Sequence, residues 1–255
     1  MVTRVLRRDS SARPPKPSPD AMTLFEHLAE LRKRIIISIL AFIVGSVVCY
    51  ALYNHLLNFL RQPYCKAIHA RVCPDFVILQ PLQGFSARLD LSAVGGLVLA
   101  LPIILWEIWR FVTPGLKANE KRYAIPFVFG TVLLFLAGAV VAYEMFPRGL
   151  GFLIHQSGNG VKPFISVQSY VSLISLLIVV FGLAFEFPAV LVGLEMAGVV
   201  RPAGLRRFRR YAILTIVVFA ALVTPSADPF SMFALAVPLY LFYEGAIMIG
   251  RLLGK

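Results

Sequence analysis

From about residue 35 onward the chain is written as long apolar runs separated by short polar segments. A helix rises about 1.5 Å per residue, so some 20 residues cross a hydrocarbon layer about 30 Å thick. Inside that layer only a helix or a closed barrel satisfies its own backbone. Four runs are long enough to span: about Ile35–Leu57, Phe85–Trp109, Tyr123–Phe146 and Ser169–Val199. The last two are treated as short. Tyr211–Val223 reaches only about 20 Å as a helix, and Phe230–Leu253 returns after the turn Thr224-Pro225-Ser226-Ala227-Asp228-Pro229. Two short antiparallel helices call for a locally thinned bilayer or a re-entrant hairpin. Two spans is the reading adopted, giving an all-α membrane protein of six transmembrane helices.

Composition agrees with this. The chain is 58% hydrophobic and 15% charged, too little charge to coat a soluble domain of this size. Its net charge of +12 would suggest nucleic acid in a soluble protein. Here the Lys and Arg cluster at the ends of apolar runs, where topology and anionic lipid headgroups account for them, and no basic patch with interleaved aromatics stands out. Membrane lipids, not nucleic acid, are the expected partner of these cations.

Counting Lys and Arg sets the orientation. The N-terminal segment, the 110–122 loop, the 201–210 loop and the C-terminus carry nineteen, and the intervening loops carry five, leaving Arg88 inside a run. The positive-inside rule then places both termini in the cytoplasm. Residues 1–22 are polar, with Pro14, Pro15, Pro17 and Pro19, and read as a disordered tail. Arg7-Arg8 is followed by Asp9, Ser10 and Ser11, not by an apolar core, so no cleavable signal peptide is read there. Residues 23–255 form one membrane unit.

Between tail and first run lies Thr23–Arg34. Thr23 followed by Glu26 reads as a capping box, and Leu24, Leu28, Leu31 and Ile35 recur at helical spacing. A short amphipathic surface helix feeding the first span is expected, with Glu30 at the water edge. Cys49 reads as inert packing. Cys65 and Cys73 flank a loop, Arg61–Gln83, on the outer and oxidising side, where either a disulfide or two unpaired thiols fit.

No HExxH, Walker A run, GxSxG elbow or metal-spaced Cys/His cluster is present. The reading is therefore of a protein that is not an enzyme and holds no metal or cofactor. The carboxylates say more. Glu186, followed by Pro188, lies within a span, where a charge costs about 3 kcal/mol or more. It either caps a carbonyl freed by the proline or does functional work in a polar cavity. Glu144 and Glu244 could each hold a neighbouring helix, and Arg88 with Asp90 reads as a local ion pair. Glu30 and Glu120 lie at the cytoplasmic edge beside basic residues. Pairing of Glu30 with Arg34 at i,i+4 is worth only a few tenths of a kcal/mol, whereas two carboxylates brought together would bind two guanidinium groups strongly.

The ordered set His27-Leu28-Ala29-Glu30-Leu31-Arg32-Lys33-Arg34, Pro102, Trp109–Leu116, Glu120-Lys121-Arg122, Phe185-Glu186-Phe187-Pro188, Thr224-Pro225 with Asp228-Pro229, and Pro238 with Glu244 resembles TatC, the receptor subunit of the twin-arginine translocase. The resemblance covers about Leu24 to the C-terminus. It implies a six-helix, glove-shaped protein of the bacterial or archaeal cytoplasmic membrane with a concave face. Such a protein binds twin-arginine signal peptides of folded passengers and recruits TatA- and TatB-like single-span subunits. It works as a homo-oligomer in a larger complex driven by the proton-motive force. By the same resemblance Glu30 and Glu120 receive the two arginines, with Arg32 and Phe111 in the same site. Glu186 meets a partner's transmembrane segment, and Asp228 is similar to an acidic position that matters for translocation. Lys121 departs from the Arg frequent there, and Glu144 matches no motif position. The rival from another class is a small proton-coupled secondary transporter using Glu186, although no repeat between halves is evident.

Overall fold

The computed structural model describes residues 24–68, 73–112, 124–158, 164–196, 198–224 and 229–252. Among these the chain is helical, with one isolated parallel β-bridge between Val77 and Ser166. In chain order the helices are α1 (Leu24–Ala51), α2 (Tyr53–Ala67), α3 (Gln83–Val112), α4 (Ala124–Gln156), α5 (Val167–Phe185), α6 (Phe187–Met196), α7 (Pro202–Arg207), α8 (Arg209–Val223) and α9 (Pro229–Leu252). Five stretches are long and apolar enough to cross a membrane: His27–Ala51, Gln83–Phe111, Ile125–Gln156, Val167–Glu195 and Pro229–Arg251. The expected short run at Tyr211–Val223 is α8, a helix of 15 residues, but the last run, also treated as short, is α9, a helix of 24 residues long enough to span. The tail, the 113–123 loop and the turn bearing Asp228 lie outside the described residues.

Three boundaries differ from the sequence reading. The surface helix and first span are one continuous helix, α1, which breaks at Leu52; α2 then carries the backbone on to Ala67, so the expected loop at Arg61 begins seven residues later. Apolar periodicity alone missed α2 because it holds Asn58, Arg61 and Gln62 as well as Pro63, which is buried within it. The third span, expected to end at Phe146, continues through Pro147 inside α4, which runs to Gln156. A proline removes one backbone bond, and the burial of Phe146 and Leu150 on either side of it holds the helix together. The fourth span divides at Glu186, two residues before Pro188, into α5 and α6.

Close backbone approach fixes the α1–α3 pair, the most extensive helix contact. A methyl added at Gly45 would stand 2.7 Å from the Gly96 carbonyl oxygen, and one at Gly96 would stand 2.5 Å from the Ser46 nitrogen. Where lipid removes the hydrophobic drive between helices, small residues of this kind let packing replace it. The main core lies among α4, α5 and α9, around Phe146, Tyr170, Phe181, Leu235 and Tyr243. Tyr170 is fully buried among Tyr64, Phe76 and Phe146 and donates to the Leu60 carbonyl. At this end Ser166 caps α5 by accepting from the Ser169 amide at 3.2 Å. The Val167 amide donates to Val77 at 3.1 Å, and Cys65 and Cys73 are joined by a disulfide with Cα atoms 5.2 Å apart.

Candidate functional site

At the opposite end, the start of α1 meets the end of α3. Glu30 and Arg34 are one helical turn apart and face α3, where Glu107 is one turn before Phe111. Arg34 donates to Glu30 through Nη2 and to Glu107 through Nη1, the latter at 2.8 Å. Glu107 is buried, and the side chains of Arg34 and Glu30 are mostly covered. Two carboxylates thus share one guanidinium, and Arg110 and His27 add to the positive field felt by Glu30. Glu30 Oε2 is inaccessible to solvent and has no hydrogen-bond partner, so one carboxylate acceptor is unused. His27 stacks on Phe111 with ring centroids 4.3 Å apart, forming an aromatic layer beside the charges.

Of the four residues expected here, Glu30 and Phe111 are brought to one corner. Arg32 is exposed, and its offset of two residues from both Glu30 and Arg34 turns it to the other side of α1. Glu120 lies outside the described residues. The sequence reading missed Glu107. Its signal was legible: a lone carboxylate in the apolar run Leu105-Trp106-Glu107-Ile108-Trp109, which a membrane-spanning helix keeps only with a partner.

Behind this corner an apolar cleft of about 290 Å³ opens between α3, α4 and α6, lined by Leu105, Trp109, Phe127, Ala189 and Leu194 among others. Trp109 is buried here and stacks on Phe127 at 4.2 Å, whereas Trp106, one turn earlier, is exposed. Glu186 stands at the α5–α6 break, partly buried, with Oε1 lacking a hydrogen-bond partner. Further along α6, Glu195 was also missed. It is fully buried, neither carboxylate oxygen has a partner, and it packs where Gly250 of α9 leaves room: a methyl there would stand 2.5 Å from Oε2.

The remaining intramembrane charges separate differently from expectation. Arg88 and Asp90 do not pair, because residues two apart point to opposite sides of a helix. Arg88 lies over the Tyr50 ring at 4.0 Å and donates to the Tyr50 carbonyl at 3.0 Å. Asp90 accepts from Gln168 and Ser172, each at 2.7 Å, tying α3 to α5. Glu244 does hold a neighbouring helix, accepting from Arg209 at 2.5 Å, while Glu144 is exposed. No cluster of three or more metal-ligating side chains occurs among the described residues.

The chain resembles known proteins in sequence and in fold. The family model for TatC, "Sec-independent protein translocase protein (TatC)", matches residues 26–238. The chain is 38% identical over 234 residues to the Sec-independent protein translocase protein TatC of Aquifex aeolicus, covering 91% of this chain and 95% of that one. It is 40% identical over 240 residues to the protein of the same description from Frankia casuarinae, covering 91% of this chain and 66% of that longer one. A crystal structure described as the twin-arginine translocase receptor TatC superposes with a TM-score of 0.75 at 37% identity, covering 90% of this chain and all of the other. Carried by sequence across most of its length and by fold, the chain belongs to the TatC family of Sec-independent protein translocase proteins.

Proposed function

We propose that this chain is the receptor and assembly core of a twin-arginine protein translocase in a cytoplasmic membrane. Both termini are cytoplasmic, and the α8–α9 hairpin completes six spans around a concave face. The supporting observation is that Glu30 and Glu107 share the single Arg34 guanidinium, leaving Glu30 Oε2 without a partner among the described residues, beside the stacked Phe111 and His27. A guest guanidinium that enters the corner by displacing part of its cover gains a charge-assisted bond to this carboxylate. The excess of nineteen cations to five across the loops puts this corner on the cytoplasmic side, where a signal peptide is presented.

Glu120 and Arg32 supply the rest of the recognition for the second arginine, and the apolar cleft at Trp109 takes the hydrophobic stretch that follows. Glu186, at the helix break, meets the transmembrane segment of a TatA- or TatB-like subunit. Asp228 acts at the outer turn during translocation, which the proton-motive force drives in a homo-oligomeric complex. The relatives named above are all translocase proteins, which gives proton-coupled solute uptake no support.

The experiment is binding of a twin-arginine signal peptide to the purified chain. Glu30→Gln removes one charge-assisted bond, worth about 1.5–3 kcal/mol, so affinity is expected to fall roughly 10- to 100-fold with little change in melting temperature. Unchanged affinity would overturn the receptor reading.

A further inference from the structure

A second cavity, of about 520 Å³, lies at the far end of α1 from Glu30, between the α1–α2 break, the 73–82 segment and the start of α3. Two guanidinium groups line it, those of Arg61 and Arg88, with Tyr53, Asn58 and Asp75. Arg61 is anchored through Nη2, which donates to the Cys73 and Pro74 carbonyls, each at 2.9 Å, and to Asp75 at 2.7 Å. Arg88 is anchored through its own Nη2 to the Tyr50 carbonyl, its plane held over the Tyr50 ring. In both residues Nε is inaccessible to solvent and unpartnered, and neither Nη1 has a protein partner among the described residues.

The charges do not balance. Asp75 offsets Arg61 from a side chain that is almost wholly exposed. No described carboxylate pairs with Arg88, because Asp90 is committed to Gln168 and Ser172. A half-buried, unpaired arginine inside an apolar helix is costly and is kept where something anionic meets it. The rim supplies the other half of the chemistry. Ile78 and Phe85 line the cavity with exposed apolar side chains, and Leu79, Leu82 and Leu89, close to them in the chain, are exposed as well. A basic pocket edged by such residues at a helix end has the form of a lipid-headgroup site.

We infer that this cavity binds the phosphodiester headgroup of an anionic phospholipid between Arg61 and Arg88, with the acyl chains lying along the apolar rim. Two guanidinium groups lining one cavity and held in place through their Nη2 bonds suit a phosphate oxygen pair, and the volume falls within the range of small-molecule sites. The site depends on the orientation proposed above only for its leaflet, the outer one. It makes no use of the Glu30 corner.

The test is native mass spectrometry and thermal melting of the full purified chain, titrated separately with phosphatidylglycerol, phosphatidylcholine and inorganic phosphate. One phosphatidylglycerol is expected to be retained and to raise the melting temperature. Arg88→Gln and Arg61→Gln are each expected to weaken that binding about tenfold, Arg88→Lys less, and Arg206→Gln with Arg207→Gln not at all. Equal retention by wild type and both glutamine variants would overturn the site. So would an equal shift from inorganic phosphate, which marks a soluble-anion site, or from phosphatidylcholine, which marks an apolar groove alone. If Arg88→Gln does not fold, Arg61→Gln and Arg88→Lys decide by the same criterion. Signal-peptide affinity measured on the same variants separates this result from the receptor reading, since it is expected to stay unchanged.

Discussion

Arg34 reaches 73 residues along the chain to Glu107, 2.8 Å from its Nη1, while the same guanidinium holds Glu30 on its own helix. One cation thus ties α1 to α3 and also sets the position of the carboxylate proposed to receive a guest.

Because Arg34 and Glu107 are both largely covered, truncating one leaves the other charge poorly solvated. Glu107→Ala is expected to cost about 3 kcal/mol and to lower the melting temperature of the purified chain. A double-mutant cycle with Arg34→Ala is expected to give a coupling energy of about 1–3 kcal/mol. Additive losses would mean that the contact carries no energy. Glu107→Gln is also expected to weaken twin-arginine peptide binding, because Arg34 is then left to Glu30 alone.

The α1–α3 crossing gives a purely steric prediction. Gly96→Ala sets a methyl within 2.6 Å of Ser46 backbone atoms, whereas Gly130→Ala in α4 meets nothing within 4 Å. Overpacking of this kind costs about 1–3 kcal/mol. Gly96→Ala should therefore melt lower than wild type, with Gly130→Ala at or slightly above it, as expected from the better helix propensity of alanine.

The Cys65–Cys73 bridge closes a short loop, with a sequence separation of 8. By chain entropy such a loop contributes about 2–3 kcal/mol. Alkylation of denatured, unreduced protein should modify Cys49 alone, and reduction should add two further sites and lower the melting temperature. Three labelled cysteines without reduction would show that the bridge is not formed in the isolated protein.

What the sequence made legible follows from what leaves a one-dimensional trace. Apolar runs and a proline two residues after Glu186 do, and the runs at Phe85–Trp109, Tyr211–Val223 and Phe230–Leu253 stand as helices within three residues of the expected bounds. The continuation of α2 to Ala67 does not, because its stability comes from packing Leu60 and Tyr64 into the core. Nor does the separation of Arg88 from Asp90, whose partners lie on α1 and α5. Within the site, Glu30 and Phe111 were legible through motif and the pairing of Glu107 was not. Its partner is 73 residues away, and a single sequence does not display helix pairing.

Glu195 carries the last prediction. It is fully buried against Gly250, and neither carboxylate oxygen has a hydrogen-bond partner. Burying an unsatisfied polar group costs about 1–3 kcal/mol, more if it is charged, and an apolar replacement of similar shape removes that cost. Glu195→Met is therefore expected to raise the melting temperature, the opposite of the usual effect of a core substitution. Gly250→Ala drives a methyl into the carboxylate and should lower the melting temperature of the wild-type chain. The same change should do less harm in the double variant that also carries Glu195→Met, where the flexible thioether can move aside. A fall in melting temperature for Glu195→Met would overturn the reading that an unsatisfied carboxylate costs stability here. Export activity measured in the same chains then distinguishes a structural acid, whose loss leaves transport intact, from one retained for transport at the expense of stability.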